Sequence, residues 1–542
     1  MARGAALSDA RRAKLDRLKE LGVEPFAYNY SRTHGLGEIV AGYREAERND
    51  ELDDDLGWRR VRVGGRVVAR RDHGSSVFMN IADDWRSPGG TTLQIYFQKK
   101  LLSTRLHSGA NRDGDLFSLL ALLDTGDWIG VEGQVFRTRM GEISVRAEDW
   151  TLLTKAVNPL PLGKVGGKGK EDLGATDAAG DREEGSEPAD PHAERRRFSG
   201  LSDRETRLRL RSADLAVHPE VREVFRIRAR AITAIRSFLD GEGFLEVETP
   251  VLQPLYGGAS ARPFVTRHHA LDRRMYLRIA DELYLKRLMV GGLDRVYEIA
   301  KDFRNEGLSR LHNPEFTMLE WYQAFSDYRD QMRMVERLLQ STALAVKGSL
   351  EFETGGDTIS FRPPFGRIPL LGSLGERLGE EVAGLDDSEL RERAIRAGIG
   401  GLRGAGRGKI IDKLFGALVE PDLTQPTFVT DHPRELSPLA KRHRTDDALT
   451  ERFELYVRGA ELANAFSELN DPDEQRRRFR DQTALREAGD EEAQQLDEDY
   501  LRALEWGMPP TGGVGLGIDR LVMLLSDRPS IRDVILFPIL RD

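Results

Sequence analysis

Apolar and polar positions alternate with a period of two in five segments near the start of the chain: 61–71 (VRVGGRVVARR), 76–83 (SVFMNIAD), 92–98 (TLQIYFQ), 127–139 (DWIGVEGQVFRTR) and 142–153 (EISVRAEDWTLL). Period two is the signature of a strand with one buried face, and glycines in several of the gaps supply the turns. A helix precedes them at 11–22, where Leu15, Leu18 and Leu21 recur at helical spacing. From Gly163 to Arg197 the pattern stops: no aromatic residue occurs, and Val165 and Leu173 are the only aliphatics larger than alanine. Such a segment buries too little apolar surface to offset the entropy of ordering, which predicts a flexible linker. The helical period returns at Pro219–Asp240, with Val221, Val224, Phe225, Ile232, Ile235, Phe238 and Leu239 on roughly one face, closed by Gly241 and Gly243. Strand-like runs follow at 244–252, 275–279, 295–307, 314–325, 453–471 and 512–524, and residues 367–418 read as mostly helical.

Five strands within about 100 residues, with a helical stretch between the third and fourth, predict an OB-type barrel. Such barrels bind single-stranded nucleic acid through aromatic platforms, though a purely structural barrel fits the same pattern. The later strands do not alternate regularly with helices. That favours an α+β fold, a central antiparallel sheet flanked by helices, over a doubly wound one. The expected organisation is a helix and barrel over 1–160, a low-complexity linker over 161–199 and a larger domain over 200–542. The linker's GGKGK lacks a leading strand and a following Ser or Thr, so it is not a phosphate loop.

Composition narrows the class. Of the 542 residues 39% are hydrophobic and 32% charged, no apolar run approaches a membrane-spanning length, and the amphipathic N-terminus lacks a secretory apolar core. A cytoplasmic protein is expected. With no cysteine, disulfides and thiolate-bound metals are excluded. The net charge of −9 argues against a chain coated for nucleic acid. The first 160 residues are nearly neutral, however, and a local basic face there could still engage phosphates.

Two strands carry unusual chemistry. In ELANAFSELND, Leu462, Asn464, Phe466 and Glu468 share one face, and Ala463, Ala465 and Ser467 the other. In HNPEFTMLEWY, Phe316, Met318, Glu320 and Tyr322 share a face. Carboxylates, a phenol and an amide set among rings suit a long side chain ending in an ammonium group. Arg304, in the preceding FRNEG, offers the opposite charge for a carboxylate or phosphate.

These residues carry a family resemblance. GFLEVETPVL, FRNEGLSRLHNPEFTMLEWY and GLGIDRLVMLL look like the three signature motifs of class II aminoacyl-tRNA synthetases, here at about 219–252, 295–322 and 512–525. YGGASARPF, ELYLKRLMVGGLDRVYEI, ELANAFSELNDP and SIRDVILFP resemble the lysyl-tRNA synthetase family. The resemblance spans most of the chain apart from the linker. It implies activation of L-lysine by ATP, with Mg²⁺, followed by transfer to tRNA(Lys), in a homodimer. It also implies roles. Arg304 bridges the lysine carboxylate and α-phosphate, Arg520 holds the γ-phosphate, and Glu454 and Glu461 ligate Mg²⁺. Phe316 stacks on adenine, with His312 and Glu306 near the nucleotide. Gly258 and Glu282 meet the α-amino group, Asn464 the carboxylate, and Tyr322, Glu320 and Glu468 the side-chain ammonium, with Phe466 as a wall. In the barrel, Arg71, Phe78, Gln94 and Glu142 occupy positions resembling those that read an anticodon; Phe78 could equally fill the barrel.

The chain departs from the family pattern at Leu311, where an arginine is expected and Arg310 is the neighbouring substitute, at RSADL (211–215) and TRHHALD (266–272), and at Asp281 and Ala460. These put turnover in question more than fold. Three rivals follow. An aspartyl- or asparaginyl-tRNA synthetase would present cations to its substrate's side chain, and a protein-lysylating relative would lack the barrel. A catalytically impaired tRNA-binding paralogue finds its support in Leu311 and Ala460.

Overall fold

The computed structural model describes residues 2–52, 59–84, 91–105, 115–162, 201–402, 405–487 and 494–541. The expected linker falls, from residue 163 on, outside them. The chain divides into two compact units between Glu223 and Val224, inside the helix Pro219–Gly241.

In the first unit, β1 (Arg60–His73), β2 (Ser76–Asp83), β3 (Thr91–Gln98), β4 (Trp128–Arg137) and β5 (Ile143–Thr154) close into a barrel in the order β1-β2-β3-β5-β4. The strands lie within two residues of the expected boundaries. Alternate positions such as Met79, Ile81, Ile95, Phe97, Val131 and Val145 fill the interior, because each strand turns every second side chain inward. The leading helix, Ala2–Glu20, begins earlier than its apolar stripe suggests, and its Leu18 is fully buried in the barrel's core cluster.

The second unit holds β6 (Leu245–Glu246), β7 (Leu252–Gln253), β8 (Val265–His268), β9 (Arg273–Leu277), β10 (Arg295–Phe303), β11 (Glu315–Ala324), β12 (Glu351–Thr354), β13 (Asp357–Ser360), β14 (Gly366–Pro369), β15 (Thr427–Thr430), β16 (Arg452–Val457), β17 (Ala460–Ser467) and β18 (Thr511–Gly517). Eight form one sheet in the order β14-β15-β16-β17-β18-β11-β10-β6. Its six inner strands pair antiparallel, and the two edge strands, β14 and β6, pair parallel. One face buries Leu319, Trp321, Ala463, Ala465, Val514 and Leu516 among residues of the helices Tyr328–Lys347 and Ile518–Ser526.

The strand expected at 244–252 is interrupted. Pro250 has no N–H to donate, and the Thr249 backbone N–H and hydroxyl both donate to Glu298 Oε2, at 3.1 and 2.7 Å, instead of joining a ladder. The run 512–524 is likewise half strand and half helix, with Ile518 starting the helix. Among the described residues no helix is long and apolar enough to cross a membrane.

Candidate active site

The sheet's other face carries a cavity of about 410 Å³. Its floor is β18. In the ladder, Gly513 lies between Tyr322 of β11 and Phe466 of β17, and Gly515 lies between Glu320 and Asn464. Alternation sends Val514 and Leu516 into the core and leaves glycines on the cavity side. A Cβ on Gly513 would stand 2.5 Å from Tyr322 Cε1 and would clash with the Glu468 carboxylate. The missing side chains make a groove two inter-strand spacings wide, about 9–10 Å, walled by β11 and β17.

The structure gathers all fourteen predicted catalytic-domain residues on this cavity: Gly258, Glu282, Arg304, Glu306, His312, Phe316, Glu320, Tyr322, Glu454, Glu461, Asn464, Phe466, Glu468 and Arg520. Gly258 has φ +86°, and a Cβ there would press on Ala280 and Glu282 at 3.1 Å, so both conformation and contact require glycine.

One end is acidic. Tyr322 donates from its hydroxyl to Glu320 Oε2 at 3.1 Å. Burial, then the neighbouring Asp302 and Glu282, push the Glu320 carboxyl up to about 8. Burial also raises the Glu468 and Glu282 carboxyls, against the pull of Lys286. Lys286 is itself fully buried: its Nζ donates to Glu282 Oε1 at 2.5 Å, pairs with Glu468 and lies 5.2 Å from the Phe466 ring centre. Burial works against its charge, but Glu282 and Glu468 outweigh that and raise its pKa above the usual lysine value. Behind this end, Asp281 and Asp302 are fully buried, with Arg278 Nε 3.1 and 3.4 Å away.

The other end is cationic. The Arg304 guanidinium lies 5.1 Å from the Phe316 ring centre, and its Nε donates to Ile279 O at 3.2 Å. Arg520 donates to Glu461 O and stands 3.5 Å from Glu461 Oε2 and 3.4 Å from His312 Nε2. Desolvation and the charge of Arg520 hold the His312 imidazole below its ordinary pKa. The loop is capped by Ser309, whose Oγ accepts from the N–H groups of Leu311 and His312 at 3.2 and 3.0 Å. Leu311 faces the cavity, whereas Arg310 is exposed and outside its lining.

Glu454 and Glu461 offer hard carboxylate oxygens suited to Mg²⁺. Glu454 is held by Arg452 at 2.5 Å and by the Tyr456 hydroxyl at 2.7 Å; these and His432 outweigh burial and keep it well below the usual range. Burial and then Glu454 raise Glu461, and burial with Glu461 and Glu454 brings Glu420 up to about 7. An ionised Glu454 that raises its neighbours Glu461 and Glu420 fits a divalent cation, which would relieve their repulsion.

One network ties the three sequence motifs together. Arg228 donates to Asp519 Oδ1 at 2.5 Å and Thr317 Oγ1 at 2.7 Å, and Thr317 N–H donates to Asp519 Oδ2 at 2.6 Å. In the barrel, Phe78 is half-buried and stacks on Tyr96 at 4.7 Å. It is paired in register with the exposed Arg71, and Gln94 donates to Glu142 at 3.2 Å.

Sequence reasoning passed over Lys286 and Arg452. Lys286 follows Glu282 by four residues, which on a helix reads as an ordinary surface ion pair; only the surrounding leucines of ELYLKRL hinted at burial. Arg452 Nε donates to Asn464 Oδ1 at 3.0 Å and so holds that amide in place.

Residues 203–541 match the family model described as tRNA synthetases class II (D, K and N), and residues 61–153 match the OB-fold nucleic acid binding domain. A lysine–tRNA ligase of Pelotomaculum thermopropionicum is 46% identical over 538 residues, 99% of this chain and 95% of that relative. Those of Gloeobacter violaceus and Roseiflexus castenholzii are also 46% identical, over 99% of this chain and 99% and 98% of their own lengths. The cavity on the antiparallel sheet, the barrel before it and these full-length similarities agree: the chain belongs to the class II tRNA synthetases (D, K and N), and within them to the lysine–tRNA ligase family.

Proposed function

We propose that the chain is a lysine–tRNA ligase that activates L-lysine with ATP and transfers it to the 3′ end of tRNA(Lys), and that residues 200–542 form its catalytic domain. In the first step a lysine carboxylate oxygen attacks the α-phosphorus and pyrophosphate leaves. In the second, a hydroxyl of the terminal ribose attacks the activated carbonyl and AMP leaves. Neither step needs a protein nucleophile, so positioning and charge compensation carry the rate.

Glu320, Tyr322 and Glu468, with Phe466 alongside, receive the side-chain ammonium; Gly258 and Glu282 face the α-amino group, and Asn464 the carboxylate. Arg304 bridges that carboxylate and the α-phosphate, Arg520 takes the γ-phosphate, and Phe316 stacks on adenine with His312 and Glu306 beside the nucleotide. Glu454 and Glu461 would hold Mg²⁺, which when bound offsets phosphate charge. Arg71, Phe78, Gln94 and Glu142 read the anticodon by stacking and hydrogen bonding.

A homodimer is supported by Leu245, Val251 and Leu252 of the first motif, which are exposed in the single chain. The cytoplasm is the expected location.

The observation that carries the reading is the polarity of one glycine-floored groove, with buried acids at one end and Arg304 and Arg520 at the other. Lysine-dependent ATP–pyrophosphate exchange and tRNA charging test it. Replacing Arg304 by alanine removes a charge partner of the transition state and should lower exchange by about 10²–10³. Equal activity in Arg304→Ala and the parent would overturn the assignment.

A further inference from the structure

Three carboxylates face the acidic end of the groove: Glu282 on the helix Glu282–Val290, Glu320 on β11, and Glu468 just beyond β17. A fully buried cation, Lys286, is already bonded to two of them. The substrate proposed for this pocket carries two ammonium groups. With Asp281 and Asp302 behind them set against Arg278, and with all three ionised once substrate is bound, three negative charges less one resident positive charge would leave two, the number such a ligand brings.

We propose that Lys286 is a specificity-determining positioning residue, a built-in counter-cation that ties Glu282 to Glu468 and sets the pocket's charge to match a diammonium amino acid. The inference rests on the lysine-pocket reading above and deepens it.

The geometry supports a charge-setting role over simple packing. Nζ lies between two carboxylates from different elements, one on its own helix and one beyond β17, and above the Phe466 ring. Among the described residues, the other ionisable or charged groups of this neighbourhood are Tyr500 on the helix Glu498–Glu505, Glu320 and Tyr322 on β11, Asp281, Asp302 and Arg278 behind Glu320, Arg452 on β16, and Arg287, which is turned to Asp497. Without Lys286, Glu468 would be buried with no adjacent cation, and Glu282 with only Arg452 nearby, until substrate arrived. Each would then take up a proton, and substrate would have to expel it.

The test uses the full-length chain as Lys286→Met and Lys286→Arg. The kcat/KM for lysine in ATP–pyrophosphate exchange is followed from about pH 6 to about 9.5, beside the KM for ATP and the melting temperature. For Lys286→Met the expected result is a loss of about tenfold or more near pH 7, with an acid limb that steepens from a slope of about one toward two and moves up by about one pH unit. Lys286→Arg keeps the charge and should keep the parent's slope even if its larger head lowers the plateau. A folded Lys286→Met whose profile is merely scaled down, or unchanged, overturns the proposal.

If Lys286→Met does not fold, calorimetry on the parent decides. If Lys286 holds Glu282 and Glu468 ionised, as proposed, lysine binding near pH 7 releases about one proton, that of Glu320, whereas release of about two overturns the proposal. The underlying pocket reading fails separately: norleucine, which lacks the side-chain ammonium, would then compete as well as lysine in the parent enzyme.

Discussion

Under the proposed function, the Glu320 carboxyl should make lysine affinity depend on pH. Its pKa is pushed up to about 8 in the free pocket, first by burial and then by Asp302 and Glu282. Only the ionised form can pair with an ammonium group. The competent fraction is therefore about 1% at pH 6, about 9% at pH 7 and about 50% at pH 8. The lysine side chain, with an ordinary pKa of about 10.4, stays charged throughout. Apparent affinity should rise about ninefold from pH 6 to 7 and about five- to sixfold from 7 to 8, with about 0.9 proton released per lysine bound at pH 7. Calorimetric titration in two buffers of different ionisation heat measures both quantities.

A carboxyl whose folded pKa lies above its unfolded value contributes stability that is complete below about 4.5 and is lost as pH rises through about 8. Lysine should therefore raise the melting temperature more at pH 8 than at pH 6. Glu320→Gln should bind weakly with little pH dependence from this group. Affinity constant within twofold from pH 6 to 8, with no proton released, would refute the reasoning.

Other expectations follow from the same geometry. Gly513→Ala drives a Cβ against Tyr322 and Glu468; an overpacking cost of about 1–3 kcal/mol should raise the KM for lysine about 5- to 150-fold while leaving that for ATP unchanged, as exchange kinetics would show. Asp519→Asn removes the charge partner of Arg228 and should cost about 3–5 kcal/mol in denaturant unfolding. Phe78→Ala should lower kcat/KM for tRNA in charging about 5- to 150-fold, the worth of one base stack, without changing tRNA-free exchange.

The two strands bearing the site were legible because a period of two reports directly which side chains share a face: Phe316, Met318, Glu320 and Tyr322 on β11, and Leu462, Asn464, Phe466 and Glu468 along β17 and just beyond it, all line the cavity. What lies between them was not legible. Pairing partners are set by tertiary structure, so GGVGLG read as a strand within the third motif, and its alternate glycines form a groove floor because β18 separates β11 from β17. The break in 244–252 depends on Glu298, a distant residue that takes the Thr249 N–H away from any ladder. Lys286 was missed for a related reason: local spacing does not tell a surface Glu–Lys pair from one sealed under Phe466 and Glu468.

The ladder register also bears on substrate length. Tyr322–Gly513–Phe466 and Glu320–Gly515–Asn464 are adjacent rows on the same face, two residues apart along each strand and so about 6.8 Å apart. With carbon–carbon bonds of about 1.5 Å, an extended lysine side chain reaches roughly 6 Å from α-carbon to ammonium nitrogen. Under the proposed reading, an ammonium seated at the Tyr322 row, to which the Glu320 carboxylate leans by accepting from the Tyr322 hydroxyl, puts the α-carbon near Asn464 and the Gly515 backbone, with its carboxylate facing the Arg304 end. A neutral side chain of equal length would leave Glu468 and Lys286 without the second cation their charge balance expects. A shorter cationic one would reach the acids only by drawing its carboxylate away from Arg304. On this reading length and charge would be read by two different features, the pleat repeat and the buried acids, and one glycine-floored strand would bring both to bear on a single ligand.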